Sequence, residues 1–346
     1  MITSRPCAAA QGLLTPATNR DKRVIRKWQL PGDPRGVAVG PDGTIYVGLA
    51  TRQSIVAIDP KAGAIRQEVV LDSVDIASTK ELVTVRLDSS KKRLLIANGS
   101  DESATILGIP DLRILREITI EGEPIRDIIA DPAGRYLYVL GRSVHVYDID
   151  GERELKTIEL DDPMAVTTNA AGSFLVIVAS EQFESGKATI AAIFDPVSLK
   201  EIDRRPLQTD RRIDAATLGA GDRALVIAAS DWLAETTVES RPARNVTRSK
   251  DGIRLTFDFG DLISSQQICL PEHHGPQTLL ALPDSNLIVF PERRCSASET
   301  FTASARKTVP TSLYGINAYA LAWDPLNKRI VATDRAGTLT LYKLPR

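Results

Sequence analysis

The sequence predicts an all-β protein, a single β-propeller of seven four-stranded antiparallel sheets, or blades. Two observations predict this fold. First, one unit of short strands and turns recurs along the chain about every 47 residues, within the ~40 to 50 residues that a four-stranded blade needs. Second, the last copy of the unit lacks its fourth strand, and an extra strand near residue 24 can supply it.

The clearest copy starts at Pro34 and reads PRGVAVGPDGTIYVGLATRQSIVAIDPKAGAIRQEVVL. Its apolar runs have the length of strands, are rich in Val, Ile and Tyr, and are separated by turns that contain Gly, Asp and Pro. The runs follow one another too closely for crossover helices, so neighbouring strands must pair antiparallel. We therefore predict strands at residues 35–39, 44–47, 54–58 and 65–71.

Six further copies follow the first. Those that start at Pro124 and Pro163 match it element by element, including the Asp that ends the third strand. Weaker copies start near Leu82, Ile213, Gln277 and Tyr319. The seven copies predict a propeller over residues 23–346, preceded by an N-terminal extension, residues 1–22.

The two ends of the chain predict how the ring closes. The last copy stops after its third strand at Leu344. Residues Val24 to Leu30 alternate like a strand and have no three strands before them, so we expect them to complete the last blade. Closure of this kind leaves no unpaired sheet edge between the first and last blades. Two open stacked sheets are the alternative, and they leave the split blade unexplained.

At this point the residues resemble a known group of proteins. The phrases GVAVGPDGTIYVG and DPAGRYLYVLGRSVHVYDID are similar to the blade consensus of the YVTN and related NHL or lactonase-like propellers, from about Arg23 to the C-terminus. Members of this superfamily bind proteins, peptides, nucleic acid or small molecules, or hydrolyse lactones, so the resemblance implies a fold and no single function. The third strands end in AID, YDID or IFD and lack the Trp-Asp pair of WD40 blades.

Composition and charge narrow the class of partner. The chain carries 43 basic and 44 acidic residues, a net charge of −1, so no overall field attracts nucleic acid or an anionic membrane. No apolar run approaches the ~18 residues of a membrane helix, which predicts no membrane span. The start of the sequence lacks the apolar core of a secretory signal, so we expect a cytoplasmic protein, or a periplasmic or secreted one if a leader was removed.

The three cysteines are an odd number, so at most one internal disulfide can form. Cys269 and Cys295 fall in neighbouring units and are the candidate pair. Two unrelated reduced thiols are the alternative, because no spacing rule supports the pairing. The spacing fits no zinc motif either.

Two blades depart from the repeat. Blade five carries an insertion, residues 231–252, which we interpret either as a partner-contact arm or as a solvated excursion or extended hairpin. The candidate contact residues of the arm are Trp232, Arg241, Arg244 and Arg248. Blade six, residues 277–317, is irregular, and we expect its third and fourth strands to include Thr300 to Ala303 and the residues around Lys307. Its four cations lack interleaved aromatics, which is typical of a solvated face and not of a nucleic-acid site.

Enzymatic propellers carry their chemistry where the loops enter the innermost strands, at the mouth of the central channel. The residues aligned there are Arg35, Val83, Arg126, Met164, Asp214, Gln277 and Tyr319, with Asp127 one position further on. A calcium site needs several converging oxygen ligands, and the three Asp residues found close to the aligned positions, Asp33, Asp127 and Asp214, are scattered over non-adjacent blades and supply too few. Arg35 and Arg126 could bind a carboxylate or a phosphate, or form ordinary salt bridges at the rim.

No motif for nucleophilic catalysis, phosphate binding or dinucleotide binding occurs. We therefore predict no cofactor, no bound metal and no catalytic residue. The sequence favours a non-catalytic scaffold that recognises another protein or domain, as a component of a larger complex. The alternative is a lactonase-like, metal-dependent hydrolase that uses Asp127, Asp214 and Arg126 at the channel mouth. A small-molecule ligand, and a subunit of an assembly whose redox cofactor lies elsewhere, also stay open.

Overall fold

The chain is all-β and divides into two compact units in a computed structural model. The first unit comprises Met1–Thr157, Gly275–Thr278 and Asn317–Arg346, and the second comprises Ile158–His274 and Leu279–Ile316. The structure describes residues 13–17, 21–71, 84–98, 102–183, 186–207, 212–219, 224–229, 232–239, 247–249, 252–254, 258–267, 277, 279–282, 287–291, 312–316, 318–334 and 336–344.

The first unit contains four sheets. The chain enters it through β1 (Thr15–Pro16) and β2 (Val24–Gln29). Blade one is β3 (Pro34–Val39), β4 (Ile45–Leu49), β5 (Ser54–Asp59) and β6 (Ala64–Val70), with a short 3-10 helix at Ala50–Arg52. Blade two is β7 (Thr84–Leu87), β8 (Arg93–Ala97), β9 (Ser103–Gly108) and β10 (Ile114–Thr119). Blade three is β11 (Asp127–Ala130), β12 (Tyr136–Leu140), β13 (Val144–Asp148) and β14 (Glu154–Ile158).

In its described residues, the second unit contains three blade sheets and one separate two-stranded hairpin. Blade four is β15 (Pro163–Thr168), β16 (Leu175–Phe183), β17 (Gly186–Asp195) and β18 (Lys200–Pro206). Blade five has β19 (Ala215–Gly219), β20 (Ala224–Ala229) and β21 (Trp232–Glu239), then a small hairpin of β22 (Thr247–Ser249) and β23 (Gly252–Arg254), and last β24 (Asp258–Gln267). Blade six has β25 (Leu280–Ala281), β26 (Leu287–Pro291) and β27 (Ser312–Ile316).

The last sheet, blade seven, belongs to the first unit and confirms the predicted closure. Its strands are β28 (Ala320–Asp324), β29 (Arg329–Asp334) and β30 (Thr338–Lys343). The N-terminal strand β2 pairs antiparallel with β30, in a register that sets Gln29 opposite Thr338 and Val24 opposite Tyr342. β1 then adds a fifth strand outside β2. The sheet therefore continues into the residues for which the sequence predicts an extension.

Buried carboxylates and amides explain why the turns between first and second strands recur. Asp131 is fully buried, and its Oδ2 accepts hydrogen bonds from the backbone N–H of Arg135 at 3.2 Å and from its Nε at 2.6 Å. A side-chain acceptor in a turn satisfies backbone donors that strand pairing leaves free. The equivalent side chains of blades two, four and seven are Asp88, Asn169 and Asp324.

Apolar clusters join neighbouring blades within each unit. In the first unit, one cluster combines residues of blades seven and one, among them Trp28, Val47 and Leu339. Separate clusters combine blade one with blade two, and blade two with blade three. In the second unit, Val176 of blade four and Ile227 of blade five share a cluster. Within each unit, the blades joined by these clusters bury apolar faces against one another, as stacked repeats must.

Part of the predicted insertion of blade five, residues 231–252, is regular sheet. Trp232–Glu239 is the third strand of the blade and pairs along its length with β24, which agrees with the extended hairpin among the alternatives. The segment reads WLAETTVE, and its aromatic and β-branched residues favour a strand although several of its side chains are polar. The excursion that remains is residues 240–257, which includes the small hairpin.

Blade six departs from the antiparallel pattern. Its strand β27 pairs with β26 in parallel, from Leu287 opposite Ser312 to Pro291 opposite Ile316. Parallel pairing needs a crossover of a dozen or more residues, and the intervening segment 292–311 is long enough for one. The strands expected at Thr300 to Ala303 and around Lys307 lie outside the described residues.

Candidate functional site

Arg35, at the start of β3, is held by two partners. Its Nη2 lies 2.6 Å from Oδ2 of Asp33, and its guanidinium carbon lies 4.8 Å from the centre of the Tyr319 ring. Tyr319 is itself buried, with 4% of its surface exposed. The structure therefore brings two of the predicted channel-mouth residues, Arg35 and Tyr319, into one ion-pair and cation–π cluster.

Gln277 lies between the innermost strands of blades one and two. Its Oε1 accepts hydrogen bonds from the backbone N–H of Val37 at 3.1 Å and of Val85 at 2.9 Å. Its Nε2 donates to the carbonyl oxygens of the same two residues, at 3.0 Å and 2.7 Å. One buried amide thus replaces the ladder hydrogen bonds that these two strands do not make with each other.

A glycine makes room for this arrangement. A Cβ atom on Gly36 would lie 2.8 Å from Oε1 of Gln277 and 2.7 Å from the carbonyl carbon of Thr84. Real side chains do not approach neighbours this closely, so any other residue at this position would separate β3 from β7. The close approach of the two innermost strands depends on Gly36.

Asp127 is 2% exposed and forms a bidentate ion pair that the sequence analysis missed. Oδ1 and Oδ2 of Asp127 accept from Nε and Nη2 of Arg86 at 3.1 Å and 3.0 Å. Arg86 lies on β7 and Asp127 on β11, so the pair joins the innermost strands of blades two and three. Bidentate geometry of this kind is among the stronger charge-assisted contacts in proteins. No short-range sequence pattern signals it, because the two residues are 41 positions apart.

Arg126 also has a partner inside the protein. Its Nη2 donates to the carbonyl oxygen of Gly141 at 2.7 Å, in the turn that leads into β13. Its backbone N–H donates to the carbonyl oxygen of Leu140 at 2.8 Å. The two aligned arginines, Arg35 and Arg126, therefore serve different local contacts.

A second missed cluster surrounds His145 on β13. Nε2 of its ring lies 3.2 Å from Oε2 of Glu123, and Nδ1 lies 2.9 Å from Oε1 of Glu154. Ionised carboxylates only accept hydrogen bonds, so both contacts are satisfied together when the ring carries two protons. His145 then joins the loop that enters blade three to the outermost strand of that blade.

The carboxylates of this cluster are stabilised as charged groups. Burial alone would raise the pKa of Glu123, but hydrogen bonds from His145 and from the backbone N–H of Ser143 and Arg142 lower it below its ordinary value. Burial opposes ionisation of Glu154 as well, and hydrogen bonds from Thr157 and His145 lower its pKa.

Asp214 belongs to the second unit and precedes β19. It is partly buried, and burial raises its pKa to about 6 against the lowering effect of Arg212. Its backbone N–H donates to the carbonyl oxygen of Ala228 at 2.8 Å, which places it at the entry to the innermost strand of blade five, as the repeat alignment predicts.

The remaining predicted residues are only partly described. Trp232 lies at the start of β21, and Arg248 lies in β22 of the small hairpin. Arg241, Arg244, Cys269 and Cys295 lie outside the described residues.

In the part of the chain that the structure describes, no group of three or more His, Cys, Asp or Glu side chains could hold a metal ion. Among the same residues, no helix is long and apolar enough to cross a membrane.

Comparison with known proteins finds similarity in structure only. No family model matches the chain, and no curated protein matches it. The β-propeller domain of Cps50 (Swd1) from Myceliophteria thermophila is 12% identical, with a TM-score of 0.62 over 93% of this chain and 99% of that one. A chain of the mitotic checkpoint complex is 11% identical, with a TM-score of 0.63 over 100% of both chains.

A third similar structure is hydrazine synthase from Kuenenia stuttgartiensis. It is 12% identical, with a TM-score of 0.55 over 90% of this chain and 83% of that one. Identities this low carry information on fold and not on activity. Among the described residues, seven blade sheets pair their strands in sequence order, apart from the N-terminal strands of blade seven and the parallel pair of blade six. Together with these sheets, the likenesses show that the chain has the β-propeller fold.

Proposed function

We propose that the chain is a non-catalytic scaffold that recognises another protein or domain within a larger complex. The observation that carries the proposal is the use of polar side chains at the innermost strands of the first unit. Asp127 forms an ion pair with Arg86, and Arg35 forms one with Asp33. Gln277 forms hydrogen bonds with backbone groups of two blades. The Arg86–Asp127 ion pair and the hydrogen bonds of Gln277 hold neighbouring blades together, and a rigid scaffold loses little conformational entropy when its loops bind a partner.

The resemblance to other propellers supports the same proposal. One similar structure is described as the mitotic checkpoint complex, which is a protein assembly by name. Within the fold, we propose membership of the YVTN and NHL group, on the strength of the PDG turn and the Tyr-Val strand of blade one. That group includes protein-binding members, which is the activity proposed for this chain.

We propose the excursion of blade five, residues 240–257, as the arm that contacts the partner. It connects the third strand of the blade to the fourth, between the paired residues Glu239 and Asp258, and it contains Arg241, Arg244 and Arg248. Three arginines within eight positions favour an acidic surface on the partner, since guanidinium groups bind carboxylates through two parallel hydrogen bonds.

A loop replacement tests the arm. Glu239 and Asp258 are paired directly, so a two-residue Asn-Gly turn in place of residues 240–257 closes the hairpin with no change to the blade. We expect the melting temperature to stay within about 3 °C of the parent. Proteins captured by the parent from lysate of the native host, and identified by quantitative mass spectrometry, should be lost. The triple variant Arg241→Ala, Arg244→Ala and Arg248→Ala should lose the same proteins.

The matched control places Asn-Gly at residues 184–185, the two positions that connect β16 to β17 of blade four. This control should capture the same proteins as the parent. Equal capture by the 240–257 replacement and the parent would remove the arm from the proposal, and unfolding of the replacement would show that the arm is a structural part of the blade.

The hydrolase alternative rests on one observation. The carboxyl group of Asp214 has its pKa raised to about 6 by burial, and a carboxyl group that titrates near neutral pH can act as a general acid or base. A metal-dependent hydrolase that uses Asp214 predicts a rise in melting temperature on titration with calcium. An unchanged melting temperature with up to millimolar calcium would argue against it.

A further inference from the structure

The N-terminal segment Leu13–Ala17 lies in a groove between two blades of the first unit. On one side it pairs with the edge strand of blade seven, with Thr15 opposite Gln29 and the N–H of Ala17 donating to the carbonyl oxygen of Lys27 at 2.9 Å. On the other side it meets blade one, where Leu13 forms an isolated antiparallel bridge to Ala64. The segment is therefore an extended peptide bound by backbone hydrogen bonds on both sides.

One side chain of the segment is inserted into the groove. Leu14 is 8% exposed and belongs to the apolar cluster of blades seven and one, whereas its neighbour Leu13 is 81% exposed. The N–H of Leu14 donates to the carbonyl oxygen of Gly63 at 2.7 Å. A single buried side chain flanked by exposed ones, with backbone hydrogen bonds alongside, is the usual arrangement of a peptide added to a sheet edge.

The walls of the groove belong to the folded blades. Gly63 has a φ of +65°, and a Cβ atom there would lie 2.7 Å from Nε1 of Trp28, so the turn and the Trp28 ring are packed closely. Arg26 on β2 donates from Nη1 to the carbonyl oxygen of Lys61 at 3.0 Å. β2 is fixed in turn by its ladder with β30. The groove therefore keeps its shape through contacts that do not involve the segment.

We infer that this groove is a binding site for an extended peptide of a partner protein, and that the chain's own Leu13–Ala17 occupies it in cis. The segment is held by two residue pairs of one strand ladder, one isolated bridge and one buried leucine, so it can open locally without unfolding the blades. Its tether gives it a millimolar effective concentration, which keeps the groove filled against dilute competitors. This inference concerns a different part of the chain from the proposed arm and does not depend on it.

The bound segment defines the chemistry of the partner peptide. The peptide carries a leucine or a side chain of similar size at the inserted position, with a residue on each side that tolerates exposure. Pro16 lies opposite Trp28 on the outermost strand. Proline has no N–H group to donate, and this edge position requires none. The pattern is therefore Leu-x-Pro in extended conformation.

The test uses the full chain with Leu14→Asp, because a carboxylate in the apolar cluster should expel the segment. A fluorescein-labelled peptide of residues 11–18 serves as the probe, and binding is followed by fluorescence anisotropy. We expect it to bind the Leu14→Asp protein at least tenfold more tightly than the parent. Leu13→Asp is the matched control, since that side chain is already exposed, and it should bind as weakly as the parent. A peptide with Asp in place of Leu14 should bind none of them.

Three results would overturn the inference. One is equal binding of the probe to the parent and to the Leu14→Asp protein. Another is concentration-dependent dimerisation of the parent through exchanged segments, which would assign the groove to a second copy of the chain. The third needs no variant: if the amide protons of Leu14 and Ala17 exchange with solvent as slowly as those of β30, the segment does not open locally. Exchange at least a hundredfold faster than in β30 supports the inference even if Leu14→Asp fails to fold.

Discussion

The contribution of Gln277 to stability can be worked out from its four hydrogen bonds. Replacing it with Met keeps most of the volume but leaves two N–H groups and two carbonyl oxygens, all in buried backbone, without partners. An unpaired buried polar group costs about 1 to 3 kcal/mol, so the low end predicts a loss of about 4 kcal/mol. Water that enters the gap would reduce the loss to about 2 kcal/mol.

The assay is urea unfolding of Gln277→Met, followed by circular dichroism, with the exposed Gln182→Met as the matched control. The control should lie within about 0.5 kcal/mol of the parent, as surface substitutions usually do. A loss below about 0.5 kcal/mol for Gln277→Met would refute the reasoning, because the four hydrogen bonds would then contribute nothing measurable.

Gln277→Glu separates hydrogen bonding from side-chain volume. The glutamate keeps both acceptor contacts, but its second oxygen faces the carbonyl oxygens of Val37 and Val85 where the amide donated. Burial and these carbonyl oxygens should raise the pKa of the new carboxyl group, so its charged form destabilises the fold. We expect this variant to be least stable at pH 8 and to recover stability as the pH falls towards 4, relative to the parent at each pH.

Three further predictions concern neighbouring contacts. Gly36→Ala should lower the urea midpoint, since its Cβ atom would collide with backbone atoms of Thr84 and Val85, and should still do so in a Gln277→Ala background, which leaves those backbone atoms in place. Asp127→Asn should lose about 2 kcal/mol of unfolding free energy, because Arg86, whose side chain is 29% exposed, loses its bidentate charged partner; an unchanged urea midpoint would contradict this. His145→Ala should be destabilised at pH 7. Since the folded-state pKa values of Glu123 and Glu154 lie below their ordinary 4.5, the stability linked to them is present above that pH. That stability is lost as the pH falls through the folded-state pKa values of the two glutamates. The difference in unfolding free energy between His145→Ala and the parent should therefore shrink below pH 4.

The sequence predicts best the strands that are bounded by turns with local side-chain hydrogen bonds. Blade one is predicted at 35–39, 44–47, 54–58 and 65–71 and lies within one or two residues of those bounds. Turn residues such as Asp59, whose Oδ1 accepts from the N–H of Lys61 at 2.8 Å, act over two or three positions and so leave a local signature.

Blades five and six are predicted poorly because that local signature is missing. β21 carries polar residues where other third strands are apolar, and its partner β24 lies beyond the excursion at 240–257. β27 pairs in parallel with β26 across a long connection, and a parallel pair leaves no turn for the sequence to show.

The residues at the innermost strands show the limit of alignment as a guide to function. Alignment identifies Gln277 and Asp127 as positions near the channel mouth, but their partners are 240 and 41 residues away and cannot be read from spacing. The prediction that such residues bind a ligand assumes that a polar side chain facing a channel is free. Here the described contacts of Asp127, Arg35 and Gln277 join one blade to the next. The same residue types that suggest chemistry in the sequence therefore act as links between repeats, and it is the loops and edges of the blades where a partner is best sought.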